Sequence, residues 1–175
     1  MIIIGARLNN TLKNINELIG ARDAQGILKT ALDQVQWGAD ALDLCCCRHG
    51  ATEREDLCWM VDLIQAETPV RLCIDSPDPT VQRAALARIK GTRPIINSTT
   101  LEQERAEAIM PLAREFNAQL VVLLHDEGGM PETVEDRLKL MPKLEGMMER
   151  WGFTPDDILL DPLVFPLAVN EAHAK

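Results

Sequence analysis

At 175 residues, 46% of them hydrophobic, the chain is long enough to bury the core of one domain, and a single domain over 1–175 is the expectation. No cluster of Lys or Arg relieves its formal net charge of −9, and 3% aromatic residues with no Tyr leave no stacking platform, which argues against nucleic acid or an anionic membrane surface as partner. No apolar run approaches the length of a membrane span, and Met1-Ile-Ile-Ile-Gly5 is too short and lacks the basic flank of a signal peptide, so the cytoplasm is the expected compartment.

Ile2 to Gly5 is the first predicted strand, and Ala6 to Thr11 the loop at its C-terminal end, where Arg7 and Asn9 can reach a ligand; a merely solvated arginine is the equal alternative. Leu12 to Ile19 reads as a short helix. A longer one follows near Asp23 to Trp37, with Leu28, Ala31, Leu32 and Val35 on one face and Gly38 as terminator. Ala41 to Cys45 is the second strand. It carries Asp43 inside an apolar run, and a buried carboxylate is costly unless paired or used. The consecutive Cys45, Cys46 and Cys47 lack zinc-site spacing and alternate in direction along a strand, so they read as small apolar side chains in a reducing compartment, and no metal is expected. Thr52 and Glu55 read as a capping box for the next helix, with Leu57, Val61 and Ile64 facing inward.

Val70-Arg-Leu-Cys-Ile-Asp75-Ser76 is a short buried strand ending in polar residues, after which Asp78 caps a helix whose first position is Pro79 and which runs to about Ile89. The pattern of an apolar strand with a polar tip recurs at Ile95-Ile-Asn97-Ser98, Leu123-Leu-His125-Asp126 and Ile158-Leu-Leu-Asp161. Pro94 to Asn97 is strand four, and its helix is expected from Thr100 with Gln103 closing a capping box and Ile109, Leu112, Ala113 and Phe116 inward. Gln119 to Leu124 is strand five. The loop from His125 to Pro131 is a candidate lid, Thr133 to Arg150 a helix stopped by Trp151-Gly152, and Ile158 to Asp161 strand six.

Six apolar strands alternating with helices require a parallel sheet covered on both faces, either doubly wound or part of a (β/α)8 barrel. Units of roughly 30 residues would fill a whole barrel at about 250 residues, so this chain is expected to stop after its sixth unit. No G-x-G-x-x-G, G-x-x-x-x-G-K-[ST] or G-x-S-x-G occurs. In either architecture the strand tips share a rim. There Asp75, Asn97 and Asp161 offer two acceptors and one amide, a set that suits a heterocycle with adjacent N–H donors, such as the aminopyrimidinone edge of a pterin. A Mg²⁺ site would need more closely clustered carboxylates. Separate capping and loop roles for each Asp are the remaining alternative.

Together, Ile3-Ile-Gly5-Ala-Arg-Leu-Asn9, Ala41-Leu-Asp43-Leu, Leu72-Cys-Ile-Asp75-Ser76, Ile95-Ile-Asn97-Ser98-Thr99 and Leu160-Asp161-Pro162-Leu163 resemble, in order and spacing, the pterin-binding (dihydropteroate synthase-like) barrels. Among these they are most similar to the methyltetrahydrofolate:corrinoid protein methyltransferases. The resemblance implies a (β/α)8 TIM barrel of the pterin-binding type with about six βα units present. It also implies transfer of a methyl group between N5 of methyltetrahydrofolate, leaving tetrahydrofolate, and the cobalt of a corrinoid (cobalamin) carried by a partner protein. The pterin-holding residues of the family fall on Asp75, Asn97 and Asp161, with Asp43, Asn9 and Ser98 on the same motifs. No catalytic residue is assigned; His125 is open between an acid and a solvated side chain. A homodimer is implied, with no nucleic acid or membrane partner. Alternatives are a non-catalytic or partial pterin-binding module completed by a partner chain, and a dihydropteroate synthase relative. The chain differs from the family in having Ala6 in place of a Glu and Cys45 in place of an Asn.

Overall fold

The computed structural model describes residues 1–164; residues 165–175, on which the expected early stop bears, lie outside the described residues. Among the described residues six strands alternate with helices. They are β1 (Ile4–Asn9), β2 (Ala41–Cys45), β3 (Arg71–Asp75), β4 (Ile95–Thr100), β5 (Gln119–Leu123) and β6 (Ile158–Asp161), and their order is the order of the sequence. A doubly wound sheet reverses direction at a switch point, whereas a barrel adds each strand on the same side of the last. The observed order is therefore the barrel pattern, and it resolves the choice that periodicity leaves open.

The helices are α1 (Lys13–Gly20), α2 (Ala24–Gln36), α3 (Glu53–Glu67), α4 (Pro79–Leu86), α5 (Gln103–Glu115) and α6 (Val134–Trp151). Among the described residues, no helix is long and apolar enough to cross a membrane. The described residues form two compact units: Met1–Asn97 with Phe116–Ala118, and Ser98–Glu115 with the described residues from Gln119 onward.

In the first unit β1 to β4 pair in parallel, and Leu42, Leu44, Leu72, Ile74 and Ile96 are buried. Asp78 caps α4 by accepting from the Thr80 amide at 2.7 Å, with Pro79 at the first position, as its sequence requires. This helix ends at Leu86, three residues short of the expected Ile89. The buried face of α2 consists of Ile27, Ala31 and Gln34, whereas Leu32 is 42% exposed, so the face is rotated by about one position from the apolar stripe. Gln34 explains the rotation. Its Oε1 accepts from the Arg7 amide at 2.9 Å, where the β1–β2 register shifts between Gly5 and Leu8, so a polar residue is drawn inward to satisfy a bulge in the strand.

The capping box expected at Thr52 does not form: its hydroxyl donates to Asp56 Oδ2 at 2.9 Å instead of accepting from the helix backbone.

In the second unit β5 pairs with β6 in parallel, Leu123 opposite Asp161. Residues Thr99 and Thr100, β-branched and buried, belong to β4. Its helix accordingly starts three residues later than the sequence suggests, and Thr100 Oγ1 accepts from the Glu102 amide at 3.2 Å. The capping box of α6 pairs Thr133 with Asp136, and Gly152 closes the helix at φ 69°.

Candidate functional site

Parallel pairing places the last residues of β1, β2 and β3 in one row with Asn97, the third residue of β4. Asn9 is opposite Cys45, Cys45 opposite Asp75, and Asp75 opposite Asn97. Side chains at opposed positions of parallel strands leave the sheet on the same face, and so do residues two apart on one strand. Asp43, opposite Cys73, therefore lies one layer beneath the row on the same face.

Asn97 Nδ2 donates to Asp43 Oδ1 at 3.1 Å, and Asp43 is only 5% exposed. Burial raises the Asp43 carboxyl above its usual range, and hydrogen bonds from Asn97 and Cys73 oppose part of that rise. With its amide nitrogen committed to Asp43, Asn97 presents Oδ1 as an acceptor, while its backbone carbonyl accepts from Gln82 Nε2 at 3.4 Å.

Asn9 Oδ1 accepts from the Thr11 amide at 2.9 Å, an Asx turn that holds the end of β1. Behind Asp75, Ser76 Oγ donates to buried Glu53 Oε1 at 2.6 Å, accepts from the Asp78 amide at 3.1 Å, and so fixes the turn that leaves the β3 tip. Gln82 Nε2 donates to the Ser76 carbonyl at 2.8 Å.

Among the described residues, Asn10 Nδ2 and Gln82 Oε1 are buried without a hydrogen-bond partner. One belongs to the residue after Asn9, and the other to the side chain whose Nε2 holds the Asn97 carbonyl.

The remaining predicted residues lie in the second unit. Asp161 ends β6, with Oδ1 accepting from the Leu163 amide at 2.8 Å and its carbonyl accepting from the Leu124 amide at 2.9 Å. The Ser98 carbonyl accepts from Arg105 Nη2 at 2.9 Å. His125 is tied through its backbone, which donates to Leu123 and accepts from Leu101. The loop after it is held by Lys143, which bridges Asp126 at 3.0 Å and Glu127 at 2.6 Å; these bonds hold the Glu127 carboxyl down at about 2.

Two features were not legible as site features. Cys45 occupies the row itself and is 2% exposed, yet in sequence it is one of three identical neighbours. A second cluster lies after β2: His49 Nδ1 meets Asp56 Oδ2 at 2.5 Å, His49 Nε2 meets Asn16 Oδ1 at 2.8 Å, and Arg22 Nη2 bridges Asp56 Oδ1 at 2.6 Å. Its members come from α1, the α1–α2 turn, the β2–α3 loop and α3, a spread that no local motif encodes. No group of three or more His, Cys, Asp or Glu side chains among the described residues is arranged to hold a metal ion.

A family model described as pterin binding enzyme matches residues 5–175. The chain belongs to the pterin binding enzyme family. This family member is 32% identical over 176 residues to a methylcorrinoid:tetrahydrofolate methyltransferase of Eubacterium limosum, covering 99% of this chain and 64% of that protein. It is 29% identical to a methionine synthase of Mycobacterium tuberculosis, covering 100% of this chain and 15% of that protein. The chain thus spans under two thirds of the length of these relatives. Among solved structures, a dihydropteroate synthase from Vibrio fischeri superposes with a TM-score of 0.66 at 17% identity, over 94% of this chain and 62% of that one. A Xanthomonas albilineans dihydropteroate synthase gives 0.64 at 22% identity, over 92% and 59%. At such identities the likeness shows the fold.

Proposed function

We propose that this pterin-binding protein acts in methyl transfer between N5 of methyltetrahydrofolate and the cobalt of a corrinoid held by a partner protein. The observation that carries the reading is the row of Asn9, Cys45, Asp75 and Asn97 across β1 to β4, above the buried Asp43. Resemblance in sequence to a methylcorrinoid:tetrahydrofolate methyltransferase supports it.

The donor and acceptor chemistry of the row fits a pterin. The aminopyrimidinone edge carries adjacent N–H donors and a carbonyl acceptor, and it needs carboxylate and amide oxygens held in one plane of approach. Asp75 and Asn97 Oδ1 provide two such acceptors on adjacent strands. Asp43 acts through Asn97: by accepting its Nδ2, it sets which end of the amide faces the ligand. Asn9, in the same row, belongs to the proposed binding set, and the sequence resemblance alone adds Asp161 and Ser98 as proposed pterin contacts.

N5 of a methylated tetrahydropterin is a tertiary amine, and it leaves from the methyl group only when protonated or strongly hydrogen-bonded. The chain's part is therefore to fix the ring, exclude competing orientations and hold N5 where a proton can reach it. The corrinoid supplies a cobalt centre that takes or gives the methyl group.

Calorimetric titration of methyltetrahydrofolate into the 175-residue chain tests the binding step. Saturable binding that Asp75→Ala weakens at least tenfold is expected; no binding by a chain that circular dichroism shows to be folded rejects the reading. Methyl transfer to or from a methylated corrinoid protein then separates a catalyst from a binding module.

A further inference from the structure

The chain bends immediately after β2. Cys46 has φ −122° and ψ 18°, away from extended geometry, and this turns Cys47 back toward the face carrying Cys45. Their sulfur atoms are 3.4 Å apart. Cys46 points the other way, into the core, with its sulfur 3.7 Å from Met60 Sδ and no exposed surface. The three consecutive cysteines are thus one buried spectator and one facing pair.

The members of the pair differ in access. Cys47 is exposed, whereas Cys45 is 2% exposed in the row between Asn9 and Asp75. Burial pushes the Cys45 thiol well above its ordinary range. An oxidant arriving from solvent therefore meets Cys47 first, and Cys45 is already in contact with whatever forms there.

We propose that Cys45 and Cys47 are a reversible redox pair, closed to a disulfide by hydrogen peroxide or a related hydroperoxide, at the C-terminal tip of β2. In the first step the Cys47 thiol is oxidised to the sulfenic acid, and the peroxide is reduced to water. In the second, the Cys45 sulfur attacks the Cys47 sulfur; the S–O bond breaks, and the departing hydroxide takes the Cys45 proton and leaves as water. The sum is two thiols and one peroxide giving one disulfide and two waters.

Closing the bond brings the sulfurs from 3.4 Å to about 2.05 Å. The exposed loop from Cys47 to Thr52 can supply this movement more readily than Cys45, which is held in the sheet. A ring spanning three residues is strained, so the bond is readily reduced, as befits a switch more than a staple. Closure removes the Cys45 thiol from the row and draws the Cys47 loop onto its edge.

The test is treatment of the fully reduced chain with hydrogen peroxide, alkylation of the remaining thiols and mass analysis of the tryptic peptide Thr30–Arg48, which contains all three residues. The expected product has lost two hydrogens, carries a single alkylated thiol at Cys46 and reverts with dithiothreitol. Cys46→Ser should still form it, and Cys47→Ser, a change at an exposed position, should not. A product that requires Cys46, or a sulfinic acid at Cys47 beside an alkylated Cys45, overturns the proposal. The readout is on the thiols alone, so it stands or falls separately from folate binding.

Discussion

Asn97 on β4 reaches past β3 to hydrogen-bond Asp43 on β2, with Nδ2 to Oδ1 at 3.1 Å. Strands two apart in a flat sheet are separated by about 9.5 Å, so the two side chains meet only because they converge on one face. The contact joins a row of potential ligand contacts to a buried carboxylate whose own protonation state is perturbed.

Replacing Asp43 by Asn tests that perturbation. Burial raises the Asp43 carboxyl in the folded state, so between the ordinary carboxylate value of 3.8 and the raised folded value the unfolded chain has released a proton that the folded chain retains. Stability contributed by this group is present at acid pH and is lost as pH rises through that window. Asp43→Asn should therefore flatten the acid-to-neutral fall in stability and raise the denaturation midpoint at pH 7. Urea titrations at pH 4 and pH 7 measure both; an unchanged pH slope would mean that Asp43 is not the group responsible.

Asn97→Asp should do the reverse. It puts a second carboxylate against Asp43 where a donor stood, and like charges at hydrogen-bond distance resist ionising together. The variant is expected to lose more stability at pH 7 than at pH 4, and to bind methyltetrahydrofolate at least tenfold more weakly, a change of about 1.4 kcal/mol. Paired thermal melts and calorimetry decide it.

Ser76→Ala removes the donor to a carboxylate that is 6% exposed, Glu53. Leaving a buried acceptor without its partner costs about 1–3 kcal/mol. Because the same hydroxyl accepts from the Asp78 amide, protection of the Asp78 and Thr80 amides against hydrogen exchange should be lost first. Retention of their protection would detach the Ser76 hydroxyl from the β3–α4 turn.

Asp56 gathers three donors, Arg22, Thr52 and His49, and is 4% exposed. Removing one member of such a buried network costs about 3 kcal/mol, so Asp56→Ala should lower the unfolding free energy by that order. Arg22→Ala should cost less, because its side chain is 40% exposed. Equal losses in the two variants would contradict this ordering.

At Gly5 an added Cβ would stand 2.7 Å from Gln34 Oε1, the atom that holds the Arg7 amide. Gly5→Ala should displace the Gln34 amide and free the bulged part of β1, seen as faster exchange of the Arg7 amide. Unchanged exchange there would show that the bulge does not depend on Gln34.

Much of the architecture is legible one strand at a time. Val70 to Asp75 reads as a buried strand because its apolar run is short and ends in Asp-Ser, and Asp78-Pro79 starts a helix because a capping carboxylate and a preset φ act within one turn. Errors arise where a different partner, one helical turn away for Thr52 and a strand away for Gln34, takes the group from the expected one. Thr52 has the sequence of a cap, but Asp56 takes its hydroxyl; Leu32 belongs to an apolar stripe, but Gln34 is drawn inward by the Arg7 amide.

By itself the sequence determined the alternation of strands and helices, the polar residues that follow four of the apolar strands and the family, since these depend on residue type at short spacing. Only the tertiary structure decided that Asn9, Cys45, Asp75 and Asn97 share a row and that Asn97 turns its amide toward Asp43. Register and side-chain direction are set by pairing between segments dozens of residues apart, and nothing in a local window carries that information.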